Sequence, residues 1–261
     1  METIEAIILG IVQGLTEFLP VSSSGHLQIA KALLGVHIEQ NVTFDVILHG
    51  ATVLSTVTVM WRELWRLLCG VFSRRFNEEQ AYVLKIIVSM IPAGVVGVLF
   101  ADRIEALFSS LAFVGVMLLL TAALLAFAYY AKPRQKSSIS YRDAFVIGLA
   151  QAAATMPGLS RSGSTIATGL LLGNSKESVA HFSFIMVIPV ILGKMLLDAV
   201  SGEIGAMSVD TAPLVAGFAA AYVSGALACK FMIEVVKRGK LVWFAVYCAA
   251  AGLLSIISSV L

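Results

Sequence analysis

EFLPVSSSGH, residues 17–26, comes almost directly after the apolar run AIILGIVQGL of residues 6–15. A carboxylate, a proline, three serines, a glycine and a histidine occupy the place where an apolar helix would continue. The preceding segment, 4–19, stops at Pro20, short of the roughly 20 residues that cross a bilayer core. A second short apolar run, 27–36, follows and closes around Gly35. The same order recurs as 144–156, Pro157, a Ser/Gly cluster, and 164–173 ending at Gly173. Short helix, polar break and short helix form the pattern of a re-entrant hairpin, because irregular backbone at membrane depth is tolerated only under protein or water. One kinked spanning helix per pair is the alternative. Proline with several polar neighbours breaks a helix more than it bends one.

The two segments are related. Shifted by 138 positions, Gly10 falls on Gly148, Gln13 on Gln151, Ser22 on Ser160, Ser24 on Ser162 and Gly25 on Gly163. From residue 5 to 35, nine of 31 positions match without a gap. Apolar composition alone gives chance Ala and Leu matches, but not Gln, Ser and Gly in register. An internal duplication is the reading: a first repeat over 1–131 with its hairpin at 4–36, and a second over 139–261 with its hairpin at 144–173.

The rest of the chain fits an all-α polytopic membrane protein forming one domain, 1–261. It is 59% hydrophobic and 13% charged, against roughly 25% charged in soluble domains. Six stretches approach spanning length: 44–61, 83–101, 112–131, 182–200, 212–236 and 241–261. The net charge of +2 gives no reason to expect nucleic acid as a partner. Cys69, Cys229 and Cys248 fit no metal or redox spacing and read as buried apolar thiols. Glu2 and Glu5 stand where a signal peptide carries its basic region.

Loop charge sets the orientation, since short loops rich in Lys and Arg stay cytoplasmic. Loop 62–82 carries Arg62, Arg66, Arg74 and Arg75, loop 132–143 carries Lys132, Arg134, Lys136 and Arg142, and the turn at 237–240 carries three more. Loop 102–111 has Arg103 alone, and 201–211 has neither Lys nor Arg. Six spans then alternate correctly. Each repeat is a hairpin plus three spans, an odd number, so the second repeat is inverted and the two tips can meet near the midplane. Inverted repeats with broken helices build polar sites there.

At the tips, Gln13 and Glu17 are four apart and share a helix face. A carboxylate at that depth costs about 2.5–3.5 kcal/mol on insertion scales, and calls for a function or a partner such as Arg161. Ser22, Ser23, Ser24 and Gly25 precede one helix, and Ser160, Ser162, Gly163, Ser164 and Thr165 surround the start of another. Free N–H groups at helix starts form anion sites. Arg161, with its planar fork, favours an oxyanion such as phosphate. Glu17 would repel that anion unless a divalent cation lay between, so the set suggests a diphosphate with metal. His26, three residues beyond Ser23, is a proton-transfer candidate or a histidine bonded to the helix-start backbone. His37 lies in a loop, His181 precedes a span, and His49 with Asp45 and Lys194 with Asp198 read as local pairs.

QGLTEFLPVSSSGH (13–26) and PGLSRSG (157–163) with Ser164 and Thr165 resemble the two motifs of the bacterial undecaprenyl-diphosphate phosphatases of the bacitracin-resistance type. Gln13 is one of the family's two options at the first position. The resemblance implies hydrolysis of undecaprenyl diphosphate to the monophosphate carrier and inorganic phosphate. It thereby implies carrier recycling for peptidoglycan synthesis, bacitracin resistance and residence in the bacterial cell membrane. It implies Ser23 as nucleophile, Arg161 as phosphate clamp, Glu17 as metal ligand or base, and His26 as proton-transfer partner. Gln13 is a second candidate metal ligand, and Ser22, Ser24, Gly25, Ser160, Ser162, Gly163 and Thr165 are candidate phosphate contacts. A divalent cation, Mg²⁺ or Ca²⁺, and a site opening to the outer face are also implied. Metal-activated water competes with Ser23 as attacking group. A transporter or lipid flippase with a midplane anion site is the alternative, since inverted repeats are common there.

Overall fold

The computed structural model describes residues 1–36, 42–107, 110–130, 136–200 and 211–259. Twelve helices occupy these residues, with no strand among them. In chain order they are α1 (Thr3–Phe18), α2 (Ser23–Leu34), α3 (Val42–Val59), α4 (Trp61–Val71), α5 (Glu78–Leu99) and α6 (Ala101–Leu107), then α7 (Leu111–Tyr130), α8 (Tyr141–Ala153), α9 (Arg161–Leu171), α10 (Lys176–Val200), α11 (Thr211–Arg238) and α12 (Val242–Ser258). Four of them, α5, α7, α10 and α11, are long and apolar enough to cross a membrane. Helices α3 and α12 fill the other two expected stretches, and α3 meets α4 at a bend of 83°. Large apolar side chains such as Val98, Leu99, Leu227, Phe231 and Leu254 stay exposed on the outside of the bundle, as a lipid-facing surface requires.

Local chemistry sets the helix ends. Leu19 precedes Pro20 and is extended (ψ 139°), because the proline ring excludes helical backbone before it. Gly35 caps α2 with φ +69°. At the start of α8, the Ser140 hydroxyl accepts from the Asp143 N–H and the Asp143 carboxylate accepts from the Ser140 N–H, a reciprocal cap.

Both short-helix pairs fold back on themselves. Leu27 of α2 is buried with Ala6 and Leu9 of α1. A Cβ on Gly169 of α9 would lie 3.4 Å from Ile147 of α8. Helix α1 runs alongside α11 in the same direction. A Cβ on Gly10 would lie 2.4 Å from the Gly217 carbonyl oxygen, and one on Gly14 would lie 2.5 Å from that of Ala221. Only glycine allows backbones so close. Helix α8 runs likewise along α5, with Gly148 against Ser89, and α7 packs on α12 through Gly115 and Gly252.

Four expectations need correction. The segment 62–82, read as a loop, holds α4 and the start of α5, because WRELWRLLCGV is amphipathic and helical rather than irregular. Likewise α6, Ala101–Leu107, takes up the first part of 102–111. Cys229 and Cys248 are buried as expected, but Cys69 is exposed on α4. Finally, Asp45 does not pair with His49 side chain to side chain: its carboxylate takes the buried ammonium of Lys31 at 2.7 Å, clamping α2 to α3. The pair of Lys194 and Asp198 is present at 2.9 Å. His181 sits in the second turn of α10, paired with Glu63. His37 and most of the loop 201–211 fall outside the described residues.

Candidate active site

The two hairpin tips meet. The Ser162 hydroxyl donates to the Leu19 carbonyl at 3.2 Å, and a Cβ on Gly163 would lie 3.2 Å from the Pro20 ring. Phe18 reaches Gly225, which stands about halfway along α11, roughly 20 Å from either end at 1.5 Å per residue. Helices α1 and α8 arrive from opposite ends. Thr3 and Ile4 line one open depression with Thr211 and Pro213 at the start of α11. The ring of Tyr141, the first residue of α8, lies 5.6 Å from the Lys85 ammonium, and Glu177, which lines the same cavity as Lys85, pairs with Lys237 near the end of α11.

Glu17 is the hub. Its side chain is 2% exposed. Oε2 accepts from the Ser23 hydroxyl at 2.7 Å and from the Gln13 amide at 2.9 Å. Oε1 receives Nη2 of Arg161. His49 Nε2 stands 3.9 Å from Oε2, while its Nδ1 lies 2.8 Å from the Asp45 carbonyl. Ser23 and Arg161 are the first residues of α2 and α9. The starts of both helices, and with them the positive ends of both dipoles, are therefore brought to the same carboxylate through these two side chains.

The remaining candidates surround this hub. Ser22 and Ser24 hydroxyls lie 3.3 Å apart, as do those of Ser160 and Ser162. Ser160 Oγ accepts from the Gly163 N–H, and its own N–H donates to the Thr121 hydroxyl at 3.0 Å. Thr165 is turned inward on its own helix, donating to the Arg161 carbonyl. Gly25 has its open side against Val114, 3.2 Å from where a Cβ would stand. His26 is not brought to Ser23. Its Nδ1 lies 2.9 Å from the Ser22 carbonyl and its Nε2 2.6 Å from the Tyr247 hydroxyl, with the rings stacked at 5.6 Å.

Two neighbours escaped the sequence reading. Tyr247 lies on α12, in the second half of the chain, and nothing local marks it. His49 carried a signal, a histidine in an apolar helix, that its nearness to Asp45 explained away.

A hard divalent cation fits the donors present. Gln13 Oε1 is buried without a hydrogen-bond partner, next to the Glu17 carboxylate and a serine hydroxyl. All are oxygen donors, as Mg²⁺ and Ca²⁺ prefer. The described residues contain no group of three His, Cys, Asp or Glu side chains able to close a metal site alone.

The family model described as bacitracin resistance protein BacA matches residues 6–254. A protein of Parabacteroides distasonis named undecaprenyl-diphosphatase is 60% identical over 265 residues, covering 100% of both chains. Proteins of the same name from Bacteroides fragilis and Bacteroides thetaiotaomicron are each 58% identical, covering 99% of both chains. From residue 6 to residue 254, hairpins and tips included, the chain belongs to the bacitracin resistance protein BacA family.

Proposed function

We propose that the protein is an undecaprenyl-diphosphatase: it hydrolyses undecaprenyl diphosphate to undecaprenyl phosphate and inorganic phosphate, recycling the carrier for cell-wall synthesis. The observation that carries this is the convergence of Ser23, Glu17 and Arg161, from two hairpins, on one buried point. Near-identical length and 58–60% identity to undecaprenyl-diphosphatases support it.

In this reading the chain is a multi-pass protein of the bacterial cell membrane. It has six transmembrane helices, α3, α5, α7, α10, α11 and α12, and two re-entrant hairpins of inverted topology. The opposite arrival of α1 and α8 supports the inversion. The site opens to the outer face, and the C55 tail lies along the apolar outside of the bundle.

The diphosphate enters between the tips. Arg161 has five N–H donors, of which one group faces Glu17; the others take the terminal phosphate. Hydroxyls of Ser22, Ser24, Ser160 and Ser162 and the helix-start N–H groups hold its oxygens. Glu17 accepts the Ser23 proton at Oε2, the Ser23 Oγ–P bond forms, and the anhydride P–O bond breaks to release the polyprenyl monophosphate. Water then hydrolyses the phosphoserine. Positioned charge does most of the work in such transfers. A divalent cation, Mg²⁺ or Ca²⁺, held by Glu17 and Gln13, would offset charge on the phosphates. His26, fixed between the Ser22 carbonyl and the Tyr247 hydroxyl, orients the start of α2.

Purified protein in detergent should release inorganic phosphate from a polyprenyl diphosphate, and a chelator should abolish the release. A pure carrier has no activity without two compartments, so an inactive but folded preparation would sink the reading.

A further inference from the structure

At the end of the bundle where α4, α5, the segment before α8 and α10 meet, the chain lines an open cavity of about 560 Å³. It is remote from the tips: Glu177 in its wall pairs with Lys237 in the last turn of α11, whereas the tips sit against Gly225, about 18 Å back along the helix. Nothing in the proposed reaction uses it.

Its charges do not cancel within the wall. Glu63 is taken by His181 at 2.5 Å and Glu177 by Lys237 at 2.7 Å. Arg66 keeps only a loose, exposed contact with Glu79 at 3.9 Å. Arg62 and Lys85 have no carboxylate within 4.0 Å among the described residues, and Lys85 rests over the Tyr141 ring instead. The wall therefore presents three cations whose counter-charge is weak or missing. Tyr82 adds a donor. Its hydroxyl is buried, has no hydrogen-bond partner, and lies within electrostatic reach of Glu63 and Arg66. A buried hydroxyl is normally partnered, so this one is poised for an acceptor that enters the cavity.

We propose that this cavity is a second, non-catalytic anion site for a phosphate group, bound by Arg62, Arg66 and Lys85 with Tyr82 as neutral donor. Guanidinium forks suit phosphate oxygens bidentately. The phosphate belongs either to a free ion or to an anionic phospholipid headgroup. Trp61 and Trp65, stacked and exposed on α4, mark this end as membrane–water interface, where both are at hand.

The test is thermal melting of the purified protein in detergent, in an Arg161→Ser background so that the tips cannot respond. One arm adds inorganic phosphate, the other phosphatidylglycerol, each against chloride at equal ionic strength. Melting should rise in at least one arm, and the double variant Arg62→Gln with Lys85→Gln should weaken the apparent affinity by about tenfold or more. A shift in the lipid arm alone assigns the headgroup; a shift with phosphate alone assigns the free ion. Lys85→Arg should keep the shift, and the unliganded melting temperature of each variant reports folding. No shift in either arm, or an equal shift in the folded double variant, overturns the proposal.

Discussion

Ser22 has φ +70°, the one described non-glycine residue in the left-handed region. Backbone in that region stores strain of order 1–3 kcal/mol and persists where surroundings over-determine it. Here it turns the chain so that Ser23, not Ser22, faces Glu17. The three consecutive serines are therefore not equivalent. Ser23→Ala should lower phosphate release by about a thousandfold or more, as loss of a covalent nucleophile does, with affinity for a non-hydrolysable diphosphate lipid nearly unchanged. Ser22→Ala and Ser24→Ala lose a neutral contact worth about 0.5–1.5 kcal/mol and should stay within roughly tenfold of wild type. Equal damage from all three would favour water as the attacking group. Tyr247→Phe removes the partner of His26 Nε2 and should slow turnover by up to about tenfold; measured kcat unchanged to within a factor of two would show that the ring needs no such anchor. The cluster itself was legible in the sequence, because polar residues in an apolar segment are costly enough to be noticed singly. Tyr247 and His49 were not, since their roles exist only through contacts with residues far away in the chain.

Hairpin helices too short to span depend on close packing against longer ones. Gly14 is one such close approach. A Cβ there would lie 2.1 Å from the Ser224 hydroxyl, which can rotate, and 2.5 Å from the Ala221 carbonyl, which cannot. Gly14→Ala should therefore push α1 off α11, destabilise by about 1–3 kcal/mol and disturb Glu17 one turn on. Gly94 in α5 has nothing within 4 Å of a new Cβ, so Gly94→Ala should stabilise by about 0.5–1 kcal/mol through helix propensity. Melting temperatures of the two variants moving the same way would contradict this packing. Helix boundaries around the breaks were readable because Pro20, Pro157 and Gly35 punctuate the backbone locally. Helix α4 is not legible in the sequence because Arg62, Glu63 and Arg66 rule out a span, and charge between spans is equally the mark of a loop. Its helical period buries Leu67 and leaves Trp61 and Trp65 exposed.

Across the whole molecule, α11 orders the two ends. Met1 to Ile4 lie beside its start, and the cation-rich cavity lies beside its end. In a cysteine-free background on intact cells, Thr211→Cys should react with an impermeant thiol reagent and Ser138→Cys should not. The reverse pattern would turn the protein over in the membrane and close the site to the outside. The same pairing has a consequence for how the chain is made. Helix α8 emerges from the ribosome when its partner α5 is already complete, and can dock at once. Helix α1 is synthesised first, yet the glycine surface it needs, Gly217 to Gly225, comes about 200 residues later. At roughly 5–20 residues per second that is a wait on the order of 10–40 s. For the first 144 positions of it, the first tip holds Glu17 without Arg161. Completion of the first hairpin is thus gated by the last third of the chain, and a nascent chain arrested before α11 would present α1 with its glycine face uncovered to the membrane's quality control.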